Sequence, residues 1–123
     1  MWVFQKTNHC GPGCCVPACL SSLTGIHIDK LIYDPHSSGL GWFDHVNNIL
    51  SKFDYKLAQY DSYGGNEWRI ILMSTGLQSH MVICNSHGRI IHDPARMGQK
   101  KLDQLGFARI AYYGVNTIGA TYI

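Results

Sequence analysis

His80-Met81-Val82-Ile83-Cys84-Asn85-Ser86-His87-Gly88-Arg89-Ile90-Ile91-His92-Asp93-Pro94 reads as two apolar strands around a cluster of turn-forming residues. That arrangement is a hairpin signal. If Cys84 pairs with Arg89 across a four-residue turn, counting outward sets His80 directly opposite Asp93. Opposed side chains share a face, with Cβ atoms about 5 Å apart. A carboxylate so placed fixes the tautomer of the imidazole and stabilises imidazolium. A slip of one residue would instead set His80 against His92 and send Asp93 to the other face.

Further strands are expected at residues 56–60, 69–73, 107–113 and 117–123, beside those at 80–84 and 89–93. Upstream the period changes to that of helices. Val16, Cys19, Leu20 and Leu23 give a helix one buried face, and Gly25 ends it. Its start is expected near Cys14 or Cys15, which puts Pro17 in the first turn, where a missing N–H costs nothing. Ile28, Leu31 and Ile32 suggest one helical turn, and Phe43, Val46, Leu50 and Phe53 a second helix over residues 40–53. Helices first and strands afterwards imply an α+β fold with a mainly antiparallel sheet. The basic run of Arg96, Lys100 and Lys101 reads as a solvated loop.

The 123 residues suit one domain spanning residues 1–123. Hydrophobic residues at 46 % and charged residues at 15 % suit a soluble globular chain. A net charge of +2, scattered along the chain, argues against nucleic acid as the main partner. No stretch reaches the roughly 18 apolar residues of a membrane span, so no membrane partner is expected. Met1-Trp2-Val3-Phe4-Gln5 lacks the basic start of a secretory signal. The chain is therefore expected to be cytoplasmic.

Cys10, Cys14, Cys15, Cys19 and Cys84 are an odd set, four of them within ten residues. In the cytoplasm such a cluster points to catalysis, metal binding or simple burial. Cys15 is the candidate nucleophile. A thiol in the first turn of a helix feels the positive end of the helix dipole, which favours thiolate. Unpaired N–H groups there can bind an oxyanion. Cys10 is the rival, but a helix starting there would carry Pro12 and Gly13 in its first turn and Pro17 in its interior, at a cost of about 3 kcal/mol. Cys19 and Cys84 read as buried apolar thiols. A metal module of Cys10, Cys14, Cys15 and Cys19, with His9, lacks the paired spacing of zinc knuckles. His9, His27, His36, His45, His87 and His92 read as structural or surface residues.

Gln5, the run from Gly13 through Cys15 to Gly25, the segment His80-Met81-Val82-Ile83 and the segment from Arg89 to Asp93-Pro94 together resemble the small papain-like cysteine peptidases of phages and bacteria. More distantly, they are similar to the peptidase domains that clip bacteriocin leader peptides. The helix beginning Gly41-Trp42-Phe43-Asp44 is similar in style to the second helix of that family. The resemblance implies a papain-like fold, with Cys15 as nucleophile, His80 as base, Asp93 as orienting acid and Gln5 as oxyanion donor. Gln5 stands ten residues before Cys15, a longer gap than in larger papain-like enzymes. The implied activity is hydrolysis of a peptide or amide bond in a protein or peptide substrate, through a thioester and without cofactor or metal. Deamidation or acyl transfer on the same three groups is an alternative. So is a non-catalytic protein-binding factor on the same fold.

Overall fold

The computed structural model describes residues 2–4, 12–31 and 41–118, with backbone only for residues 12–14. Three α-helices, α1 (Pro12–Thr24), α2 (Trp42–Ser51) and α3 (Gly98–Gln104), accompany five strands. The strands are β1 (Tyr55–Tyr60), β2 (Arg69–Ser74), β3 (Ser79–Cys84), β4 (Ile90–His92) and β5 (Ala108–Thr117). They form one sheet in the order β1-β5-β2-β3-β4, antiparallel at every pairing, and the fold is α+β as expected. Among the described residues no helix is long and apolar enough to cross a membrane.

The alternation of strand side chains sends two apolar sets to opposite faces. Ile70, Met81, Ile83, Ala111 and Tyr113 face α1 and α2, where they meet Cys15, Val16, Cys19, Leu20, Val46 and Leu50. Ile71, Met73, Val82 and Cys84 face the other way and pack with Leu102 of α3 and with Phe107. At the outer edge of the sheet, Asn47 of α2 clamps β1. Its side chain accepts from the Leu57 N–H at 2.6 Å and donates to the Leu57 carbonyl at 3.2 Å. An otherwise open strand edge is thereby satisfied.

Several expectations change. The first helix begins at Pro12, two to three residues early, so Pro17 lies inside it. Proline at the first helical position is preorganised for that place, which favours the earlier start. Pro17 then forgoes the bond its N–H would have made to the Gly13 carbonyl one turn back. Gly25 does end the helix, at φ +78° with its N–H on Ser21 O at 2.9 Å. The one-turn helix is the 3-10 segment Ile28–Lys30. Residues 107–113 and the start of 117–123 are one strand, β5, while residues 119–123 lie outside the described set. The basic run assigned to a loop is partly α3. Leu102, fully buried, is the apolar residue that anchors it, one residue beyond that run.

The hairpin register is also corrected. Cys84 pairs with Ile90, not Arg89, and Ile83 pairs with His92 across a bulge. Two causes add up. Asn85 takes the Arg89 carbonyl on its backbone N–H at 2.9 Å, and its side chain accepts from the Arg89 N–H at 3.1 Å. The loop therefore shortens to Ser86-His87-Gly88, with Gly88 at φ +80° in the left-handed position such loops require. The bulge then inserts Ile91. Each cause shifts the register by one residue, and together they shift it by two.

Candidate active site

Ile90, shifted by one, changes face, but beyond the bulge a shift of two keeps His92 and Asp93 on their expected faces. His80 and Asp93 become diagonal neighbours instead of directly opposed ones. Strand β4 ends at His92, so Asp93 is free to turn back towards β3. Its Oδ1 lies 2.7 Å from Nε2 of His80, with the two side chains only 4 % and 7 % exposed.

Asp93 is held from several sides. Its Oδ1 also accepts from the Ala95 N–H at 2.8 Å, and Oδ2 accepts from the N–H groups of Met97 at 3.2 Å and Gly98 at 3.1 Å. The acid is therefore the organising centre of the loop that enters α3. Burial disfavours its charge, but the bond to His80 and the backbone donors outweigh that, and its pKa falls below the ordinary 3.8.

His80 sits at the open end of β3, with the ring of Phe107 edge-on at 6.2 Å. Burial pushes against its charged form. The hydrogen bond to Asp93, then that to Cys15, override burial and lift the imidazole from 6.5 to about 9. With Nε2 given to Asp93, Nδ1 is the nitrogen left for the sulfur. Cys15, in the first turn of α1, is the second side chain that hydrogen-bonds the ring. One turn further along, the Cys19 thiol donates to the Met81 carbonyl of β3 at 3.6 Å and so ties the helix to the strand.

Among the described thiols, Cys15, Cys19 and Cys84, the other two are unsuited to attack. Burial, then the charges of Cys15 and Asp93, push Cys19 far above its ordinary 9.0. Burial also raises Cys84, which lies at the far end of β3. Both stay protonated at neutral pH. Gln5, Cys10 and the side chain of Cys14 lie outside the described residues, so neither the oxyanion role of Gln5 nor the rival claim of Cys10 is decided by the geometry.

The structure thus brings His80 and Asp93 into a direct hydrogen bond, with Cys15 as the second side chain acting on the ring. His92, read from the sequence as structural or surface, is structural, though its partner was not foreseen: it is buried and bonds the Val3 carbonyl from Nε2 at 2.6 Å. The signal available was its place beside Asp93, on the strand face that packs towards α1. His27 does have a local role, accepting the Asp29 N–H at the start of the 3-10 turn. No protein-family model, curated protein or solved structure matches this chain.

Proposed function

We propose that the protein is a papain-like cysteine hydrolase that cleaves a peptide or amide bond. The observation that carries this reading is the imidazole of His80, bonded on one side to a buried, fully satisfied carboxylate and on the other to a thiol in the first turn of a helix. Asp93 holds the ring and its charge. His80 takes the proton of Cys15, giving a thiolate–imidazolium pair. The sulfur attacks the carbonyl carbon, and the oxyanion forms at the amino end of α1. A helix that begins at Pro12 leaves the N–H groups of Gly13 and Cys14 without intrahelical acceptors. These, the Cys15 N–H and the Gln5 side chain are the donors assigned to that charge. His80 then protonates the leaving amine, the C–N bond breaks, and a thioester remains on Cys15. Water, giving its proton to His80, hydrolyses the thioester and restores the thiol. The substrate is a protein or peptide, and no cofactor takes part.

Iodoacetamide labelling of the full chain at pH 6, read by mass spectrometry, tests the assignment without a known substrate. Cys15 is expected to be modified first, and faster than in the urea-unfolded chain. Preferential modification of Cys10 would move the nucleophile there. Equal rates for folded and unfolded chain would remove the catalytic reading. Against any substrate found, Cys15→Ala is expected to lower turnover by about 10⁴-fold or more while keeping the fold.

A further inference from the structure

The segment Trp2-Val3-Phe4 bridges the two halves of the site. The Val3 N–H donates to Ser22 Oγ of α1 at 2.8 Å, and the Val3 carbonyl accepts from His92 Nε2 at 2.6 Å. Trp2 stacks on the His92 ring at 4.8 Å and 12°, and its indole also stacks on Trp68 at 5.1 Å. Phe4 meets His92 edge-on at 4.8 Å, and the Arg96 guanidinium lies over the Phe4 ring at 4.0 Å. Trp2 and Phe4 are each 37 % exposed, whereas His92 is 4 % exposed. The buried group in this assembly is therefore the histidine next to the acid.

We propose that His92 is a positioning residue that latches the Trp2–Phe4 segment between α1 and β4 and so sets the spacing between Cys15 and the His80–Asp93 pair. The inference rests on the cysteine-hydrolase reading for its consequence, although its geometry does not. Helix α1 carries the thiol and β4 runs directly into the acid. Val3 ties them by bonding Ser22 on the one side and His92 on the other. Arg96, three residues beyond Asp93, adds a third hold through Phe4. The ring of His92 does two jobs: it donates to Val3 and offers the surface on which Trp2 and Phe4 lie. A displacement on the order of 1 Å at the thiol–imidazole contact is enough to slow chemistry by up to about 10²-fold.

The two jobs separate in two substitutions. His92→Phe keeps a ring for stacking and loses the donor. His92→Gln supplies a donor and loses the ring. Two readouts are taken where circular dichroism shows each variant folded: the ¹⁵N titration of the His80 imidazole, and the iodoacetamide rate at Cys15 at pH 6. In His92→Phe the His80 midpoint is expected to drop from about 9, because Cys15 no longer sits against the ring, and alkylation to slow about tenfold. His92→Gln is expected to return alkylation to within about threefold of the parent. Should His92→Phe fail to fold, Ser22→Ala removes the helix end of the same bridge, and a smaller change in the same direction is expected.

A lowered melting temperature with an unchanged His80 titration and unchanged alkylation means that His92 is merely structural, and overturns the proposal. The same holds if Ser22→Ala leaves both readouts unchanged. If Cys15 of the parent protein is no more reactive than in the unfolded chain while the His80 midpoint still responds to His92→Phe, the positioning claim stands and the hydrolase reading falls.

Discussion

The ribbon of β2 and β3 has an ionic pair at each end, and only one of the two pairs is buried throughout. At one end His80 and Asp93 are 7 % and 4 % exposed, and the carboxylate accepts three backbone N–H groups besides the imidazole. At the other end Arg69 is buried, but its partner Glu67, at 2.6 Å, has a side chain 56 % exposed. The guanidinium lies 3.8 Å above the Tyr60 ring, and its Nε has no hydrogen-bond partner among the described residues. The Arg69 pair spans the rim of the sheet and leaves its acid in water. The His80 pair removes its acid from water and replaces the lost hydration with oriented donors. Only the second arrangement sets a buried carboxylate on the imidazole that Cys15 also contacts, and a fixed, desolvated carboxylate acts on the ring with little screening.

Substitutions break this contrast most sharply at the imidazole. His80→Ala is expected to cost about 10⁴-fold in kcat/KM or more, measured by initial rates on any substrate that the parent cleaves. Asp93→Asn should cost up to about 10⁴-fold, because a neutral amide does not support the charge of the ring and its NH2 group, if turned to Nε2, favours the wrong tautomer. Asp93→Ala also strips the acceptor from Ala95, Met97 and Gly98, so chemical denaturation should show a loss of about 1–3 kcal/mol for each N–H that water does not reach. Unchanged stability in that variant would mean that the loop into α3 does not depend on the acid.

pH separates the two ends next. The His80 pKa is raised in the folded protein, so its contribution to stability is full below about 6.5 and is lost as pH rises through about 9. The Asp93 pKa is lowered, so its contribution is full above the ordinary 3.8 and is lost as pH falls through the lower folded value. Melting temperatures followed from pH 6 to 9.5 should therefore decline, and the decline should shrink in His80→Ala. On the proposed mechanism the same ring would set the upper limb of activity, which should fall near pH 9 as imidazolium loses its proton. Glu67→Gln should leave both pH trends in place.

The smallest effect belongs to the Arg69 end itself. Glu67→Gln is expected to cost about 1 kcal/mol or less, since the exposed carboxylate is screened by water and salt and the amide oxygen can still accept from Arg69. Arg69→Met, which fills the same space without charge, should be near neutral or stabilising in urea titrations. A loss of activity in either variant would show that the far end of the hairpin is coupled to the site.

Much of the site was legible because strand alternation has a period of two. His80 and Asp93 were assigned to one face from a register that proved wrong by two residues, and an even error changes no face. The Asn85 side chain and the Ile91 bulge each introduced an odd shift that alone would have separated the pair. Neither could be weighed along the chain, because the first depends on the loop closing and the second on what packs against β4. Helix α3 was not legible for a related reason. Its seven residues, Gly98–Gln104, bury only Leu102, and what holds them is the carboxylate of Asp93 on the preceding loop.

The residue order alone determined the α+β division, the hairpin, the glycine that stops α1 and the presence of a thiol in the first turn of that helix. These follow from local rules of period, turn chemistry and capping, which act over a few residues. The tertiary structure decided that the thiol meets the imidazole, that Cys19 and Cys84 are silenced by burial, and that His92 joins Val3 across 89 positions of chain. Such contacts depend on how helices and sheet pack, and packing is a property of the assembled core, which no stretch of sequence contains by itself.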